Sequence, residues 1–280
     1  VDISETDSYV VDILRVAGGR EHTRFTHGHF GGLETTGLSA APLTETRYGE
    51  VMRNFQRDPK PSPGWSATWK VNDHLKYLPA GSEVHLRLTD LTRDVEVQRA
   101  ESWVAVGLYG GTAEAWIPSL LVRRQATNAP LTSTFVSVIE PYASRSAIKS
   151  VRRLELTTNE ADAFPDSEVG LEITLADGRR DIILARNSEK EESPAEMLEP
   201  RSQLRFLGDL CLVRFGSDDK ARRVLFCNSM RVSSPRLRVE MQRDPGNFEA
   251  DLTNQAATVV AGSSNGIKSI SVDGNSIWPK

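Results

Sequence analysis

The chain has 280 residues, 39% apolar and 26% charged, with a formal net charge of −4. That is enough apolar material to bury the core of one large or two smaller β domains. No run nears the roughly 18 apolar residues of a membrane-crossing helix, and a pI of about 5.8 lacks the basic excess of a nucleic-acid binder, so neither a membrane nor nucleic acid is an expected partner.

The chain opens on "VDISETDSYVVDILRV", with no initiator Met, no basic n-region and no signal-peptide apolar run. It reads as part of something longer, and an upstream portion is expected. "YVVDILRV" is strand-like and rich in β-branched residues. Next comes "RVAGGREHTRFTHGHFGG", which holds His22, His27 and His29 between two glycine pairs, Gly18-Gly19 and Gly31-Gly32. "RDPKPSPG", from Arg57 to Gly64, is a proline-rich loop, and "GWSATWKV" follows it with Trp65 and Trp69 four residues apart. "EVHLRL" alternates, placing Val84, Leu86 and Leu88 on one face and His85 and Arg87 on the other. "SWVAVGLY", "FVSVIEPY" and "RLELTT" continue at strand length. "GLEITLADGRRDIILAR" predicts a hairpin with a tight type I′ turn at Asp177-Gly178. "DLCLVRFGSDDKARRVLFC" predicts a second hairpin, and "IKSISVDGNSIW" a third, turning at Asp273-Gly274-Asn275.

Helical periodicity is nearly absent. "SPAEMLEP", Ser193 to Pro200, carries the only helix signal: Ser193 as cap and Pro194 at the first helical position predict a turn or two. The predicted fold is all-β: a large antiparallel two-layer β-sandwich over residues 1–202, then a smaller β domain over 203–280. The boundary is drawn on the polar run "NSEKEESPAEMLEPRSQ". Two cysteines, Cys211 and Cys227, define no disulfide framework and read first as small buried apolar residues.

The histidine cluster admits three readings. His27 and His29 are two apart, so an extended segment points both imidazoles to one side, as a zinc site would require; yet no Asp, Glu or Cys completes a tetrahedral set within the segment. The cluster also reads as a solvated polar loop. The third reading is a glycine-flanked loop at a sheet rim, where imidazoles with Arg20 and Arg24 meet an anionic sugar. Trp65 and Trp69 read either as sheet packing or as a platform for pyranose faces. Glu140 and Tyr142 in "VIEPY" offer an acid and a phenol at a strand end, where structural hydrogen bonding is the first expectation.

"YVVDILRVAGGREHTRFTHGHFG" resembles a segment of heparinase II/III-type polysaccharide lyases and their alginate-lyase relatives, through Tyr9, Val10, Val11, Asp12, Arg15, Val16, Gly18, Gly19, His22, His27 and Gly28. "GWSATWKV" and "STFVSVIEPY" follow in a fitting order. The resemblance implies an antiparallel sandwich with a small final β domain, preceded by an α/α toroid absent from this chain. The family's "H-x-H-x-D" metal element and the toroid's catalytic residues precede the resembling segment, so "HGH" at 27–29 does not inherit that metal site. No cofactor is expected within this chain; a structural divalent metal such as zinc belongs, by the resemblance, to the upstream part.

The activity implied is β-elimination on a uronate-containing polysaccharide. The uronate carboxylate must be neutralised, a base must take the C5 proton, and an acid must protonate the leaving glycosidic oxygen. His22, at the family's matching position, is the candidate catalytic residue; Arg20, Arg24, His27, Trp65 and Trp69 are the candidate substrate-binding residues. The expected partners are an anionic polysaccharide and the upstream toroid, and the expected location is periplasmic or secreted. The alternative is a non-catalytic carbohydrate-binding or structural β module. A zinc hydrolase is disfavoured, because no general-base carboxylate accompanies the histidine pair.

Overall fold

The computed structural model describes every residue except 29, 46, 74–75, 107–112, 128–129, 159–160, 189–194, 254–255 and 279–280. The chain divides into two compact units, Val1–Ala147 and Ile148–Lys280. Both are antiparallel β, and the one helical element among the described residues is a 3₁₀ turn at Gly49–Val51. The expected all-β class therefore holds.

Unit 1 is a two-layer sandwich. Its first sheet is ordered β1 (Val10–Ala17), β10 (Thr132–Ala143), β7 (Val84–Asp90), β6 (Trp65–Val71) and β3 (Gly31–Thr36). The second is ordered β2 (Glu21–His27), β9 (Ala113–Gln125), β8 (Glu96–Val106), β5 (Met52–Asp58) and β4 (Ala41–Pro42). Alternation sends one side of each strand inward. Leu33, Trp65, Trp69, Leu88 and Phe135 of the first sheet thus meet Val97, Leu120 and Val122 of the second in one core. Strands β1 and β2 are edge strands, one in each sheet, so the chain changes layers through the Gly18-Gly19 turn. Both glycines have positive φ, 109° and 63°, a conformation that side-chain-bearing residues adopt at a cost.

Unit 2 is a single eleven-stranded sheet wrapped around its own core. Strands β11 (Ile148–Leu154), β12 (Val169–Leu175) and β13 (Arg180–Ala185) lead to two long strands, β15 (Leu204–Phe215) and β16 (Ala221–Ser234). The short β14 (Met197–Glu199) pairs with the start of β15. The first half of β16 pairs with β18 (Gly246–Asp251), which carries β19 (Thr258–Gly262). Its second half pairs with β17 (Leu237–Met241), then β20 (Ile267–Val272) and β21 (Asn275–Trp278). The change of partner coincides with a register shift at Leu207/Gly208 and with Asn228 at φ 46°. Such irregularities let a long strand turn a corner and serve both sides of one core.

Three expectations change. The boundary near residue 202 falls inside unit 2, between β14 and β15, which hydrogen-bond to each other. The polar run that suggested a linker joins two strands of one sheet, whereas the division at 147/148 has no composition shift to mark it. The helix expected over Ser193 to Pro200 is not formed at its described end: Met197–Glu199 is a strand, with Met197 fully buried in the core. Ser193 and Pro194 lie outside the described residues. The Asp177-Gly178 hairpin is also not type I′. Leu175 O accepts from Gly178 N at 3.1 Å, and Gly178 alone has positive φ, 88°. That is the three-residue loop, a type I turn closed by a glycine bulge. The two-residue geometry occurs instead at Asp273-Gly274, both at positive φ.

The two cysteines are free. Cys211 is fully buried, and burial pushes its thiol pKa far up, only slightly offset by a hydrogen bond from the Leu184 backbone; Cys227 is exposed. Cys227 pairs with Leu210 and Cys211 with Phe226, so the two sulfurs leave opposite faces of the sheet.

The corner at Gly208 yields a stability prediction. A Cβ there would stand 2.5 Å from Ser229 Cα, with φ at 153°. Gly208→Ala is expected to lower unfolding stability by about 1–3 kcal/mol, as overpacking against backbone does, read as a reduced urea midpoint with an unchanged slope. An unaltered midpoint would show that the corner does not depend on this residue.

Candidate functional site

The resembling segment forms β1, the Gly18-Gly19 crossing and β2. Register places His22, Arg24 and Thr26 on the inward side of β2 and Phe25 and His27 on the outward side. His22 and His27 therefore face opposite ways, near opposite ends of a strand about 20 Å long. The sequence-adjacent histidines do not make one site.

His22 is half-buried and held at both nitrogens. Nε2 lies 2.6 Å from the Gly18 carbonyl and Nδ1 lies 2.8 Å from Ser133 Oγ. A carbonyl only accepts, so Nε2 carries the proton, and in the neutral ring Nδ1 accepts from the Ser133 hydroxyl. Ser133 is fully buried on β10. His22 thus ties the layer-crossing turn to the middle of the first sheet. The expectation that it reaches a cleft as a proton-transfer group is corrected: neither nitrogen is available to a substrate while these bonds hold.

Arg24 is also corrected. It is 9% exposed and inserts between the layers, donating from Nη2 to Ser137 Oγ at 2.9 Å. Its guanidinium lies 3.5 Å from Asp12 and 4.0 Å from Asp90, whose carboxylate is fully buried. An arginine placed there by alternation has to be matched from both layers, and Asp12, Ser137 and Asp90 do so. It has no free face for a sugar acid.

Trp65 and Trp69 are 2% and 1% exposed and lie in the sandwich core. Trp69 Nε1 donates to Pro118 O at 3.2 Å, and its ring fills the space beside Gly28, where a Cβ would stand 2.5 Å from it. Alternation along β6 puts both indoles inward, so neither offers a face to a pyranose. Arg20 and His27 remain exposed, Arg20 at the crossing turn and His27 at the far end of β2. His29 lies outside the described residues, so the pairing of His27 with His29 does too. Among the described residues no group of three His, Cys, Asp or Glu is placed to hold a metal ion.

Glu140 has the structural role expected for it. It is 2% exposed and accepts from Arg87 Nη2 at 2.7 Å, Ser146 Oγ at 2.9 Å and Ala147 N at 2.8 Å. Tyr142 stacks on His85 with centroids 5.0 Å apart. The alternation noted in "EVHLRL" places Arg87 and His85 on one face, but which acid and ring they meet is set by the β7–β10 register.

Outside β2, Glu21 gathers Arg47, Arg123 and Gln125. The Gln125 amide is the largest influence holding the Glu21 carboxyl below its ordinary range; slight burial opposes it, and Arg123 and Arg47 reinforce it. The end of β2 beside Arg20 therefore stays anionic into mild acid. The stability from this depressed pKa is complete above the unfolded value of about 4.3 and is lost as pH falls through the lower folded value. Gln125→Ala is expected to return the Glu21 titration toward the ordinary range in a side-chain NMR experiment; an unmoved titration would assign the shift to the arginines.

His22→Ala is expected to destabilise the chain by about 1–3 kcal/mol by leaving the buried Ser133 hydroxyl unpaired, measured by urea unfolding. A neutral effect would mean that the clasp does not hold the crossing. No family model matches the chain, and no curated protein matches it either.

Proposed function

We propose that this chain is the β-sandwich portion of a polysaccharide lyase that cleaves a uronate-containing polysaccharide by β-elimination. In this reading unit 1 forms one wall of the substrate cleft, and an α/α toroid upstream in the same protein supplies the proton-transfer residues. The observation that supports it best is where the resembling residues lie. Tyr9 is fully buried, Gly18 and Gly19 make the crossing, Asp12 meets Arg24, His22 clasps Gly18 and Ser133, and Gly28 admits Trp69. These are residues that build a layer-crossing edge, the part of a sandwich lyase that would carry a likeness when the chemistry is housed elsewhere.

The roles follow from exposure. Arg20, on the crossing turn, supplies charge attraction to the sugar carboxylate, and His22 positions that turn without exchanging a proton. His27 stands apart from it and contributes only if the cleft extends along β2. The reading carries with it an extracellular polymeric substrate, and hence a periplasmic or secreted location. A divalent metal of structural type would belong to the upstream part.

The second reading, a non-catalytic carbohydrate-binding or structural module, is favoured by the occupied nitrogens of His22. One assay separates them. The chain, and the longer protein that contains it, are incubated with heparin, heparan and alginate while ultraviolet absorbance of the unsaturated product is followed. The lyase reading predicts product from the longer protein and none from the chain alone. Absence of product from the longer protein on every uronate would leave the module reading.

A further inference from the structure

The outer face of unit 2 where β14, β15, β16 and β17 lie side by side carries a row of register partners. Leu198 pairs with Arg205, Arg205 with Ser233 and Ser233 with Arg238. Residues paired directly across strands share a face, so Arg205 and Arg238 stand about 10 Å apart with Ser233 between them. An open groove of about 550 Å³ lies on this face, bounded by Leu198, Pro200, Gln203, Arg205, Ser233 and Pro235.

The face has more cations than its carboxylates neutralise. The Glu196 carboxylate is held by Arg231, Oε1 accepting from Nη2 at 2.8 Å and from Nε at 3.2 Å, and its other oxygen meets Arg205 only at 3.5 Å. Arg205 keeps 46% of its side chain exposed. Glu240 is likewise shared, between Arg238 at 2.9 Å and Lys268 at 3.2 Å. The turns at Pro200 and Pro235 each add an exposed arginine, Arg201 and Arg236, with no side-chain ion pair among the described residues. Glu199 adds no outward charge: it is 3% exposed and accepts from Arg201 N, Ser202 N and Ser202 Oγ. Asp273, beside Arg236, lines a different groove. Against a chain with net charge −4 this is a local cationic surface.

We propose that this face is a binding site for acidic polysaccharide, with Arg205 and Arg238 taking carboxylate or sulfate groups of the sugar and Gln203 and Ser233 hydrogen-bonding its hydroxyls. A guanidinium presents paired N–H donors that match a carboxylate or sulfate edge. The separation of the two arginines is one that a disaccharide spans. The apolar lining of Leu198, Pro200 and Pro235 suits the C–H faces of a sugar ring, while no aromatic side chain bounds the groove to stack a nucleobase, as single-stranded nucleic acid requires. The site lies wholly in unit 2 and stands whether or not the protein is a lyase.

The test titrates the full chain, at low and high salt, with unsulfated uronate oligosaccharides, heparin oligosaccharides, a neutral oligosaccharide and a single-stranded oligonucleotide. Binding is followed by calorimetry and by amide NMR shifts at Gln203 and Ser233. The acidic sugars are expected to bind and shift these amides, and the neutral sugar is not. Preference between the two acidic sugars distinguishes carboxylate from sulfate. Arg205→Gln and Arg236→Gln are each expected to weaken binding by about tenfold, the loss of one charge-assisted contact. Arg243→Gln, an equal charge change in another exposed turn of the unit, is expected to leave it unchanged. Arg236 is a turn residue with no side-chain partner, so its variant tests the site without a folding penalty. Equal binding by all three variants, equal binding of the neutral sugar, or stronger binding of the oligonucleotide would overturn the proposal. Lyase product formation is scored separately, so an inactive protein that binds leaves this proposal standing.

Discussion

The architecture of unit 1 depends on how the chain passes from one β layer to the other at its open edge. There, Arg24 points between the sheets, where an unmatched guanidinium would be costly. It is matched by Asp12 on β1, Ser137 on β10 and Asp90 on β7, so three strands of the first sheet answer one residue of the second. Two residues earlier on the same face, His22 bonds back to the turn and across to Ser133. The apolar core holds the centre of the sandwich, and these polar contacts set where the β1–β2 edge sits. Because hydrogen bonds and ion pairs are directional, they fix register more tightly than apolar burial does.

That constraint reshapes the functional question. Residue types associated with acid–base and anion chemistry are concentrated in the resembling segment, yet most of them are engaged within the chain. What remains at the surface of this edge is Arg20, at a turn whose shape His22 and two glycines hold. A wall of a cleft needs such a turn to be rigid, and a catalytic imidazole needs a nitrogen free for substrate. The structure of the edge fits the first requirement, which is why the proton-transfer groups are assigned to the upstream region in the lyase reading.

Much of the fold could be read from alternation and turn residues. "EVHLRL", "FVSVIEPY" and the three hairpins form where two-residue periodicity and Asp-Gly pairs place them. The division between units could not, because it falls at 147/148 in a short connection of ordinary composition, while the most polar stretch joins neighbouring strands of one sheet. The helix signal at 193–200 rested on capping residues, but Met197 is drawn into a core that the local sequence does not reveal. At the candidate site, spacing correctly separated His22 from His27 by face. It was silent on depth: whether His22, Arg24, Trp65 and Trp69 look into a cleft or into the core depends on which sheet covers them. The cationic face of unit 2 was hidden for a related reason, since Arg205 and Arg238 are distant in sequence and become neighbours only through the register of β15, β16 and β17.

The most direct test of this account is the ¹⁵N NMR signature of the His22 ring in the intact chain near neutral pH. A ring protonated at Nε2 alone, with that proton protected from exchange with water, is the predicted result. An even mixture of tautomers with a freely exchanging proton would contradict it, and would return His22 to the substrate side of the edge.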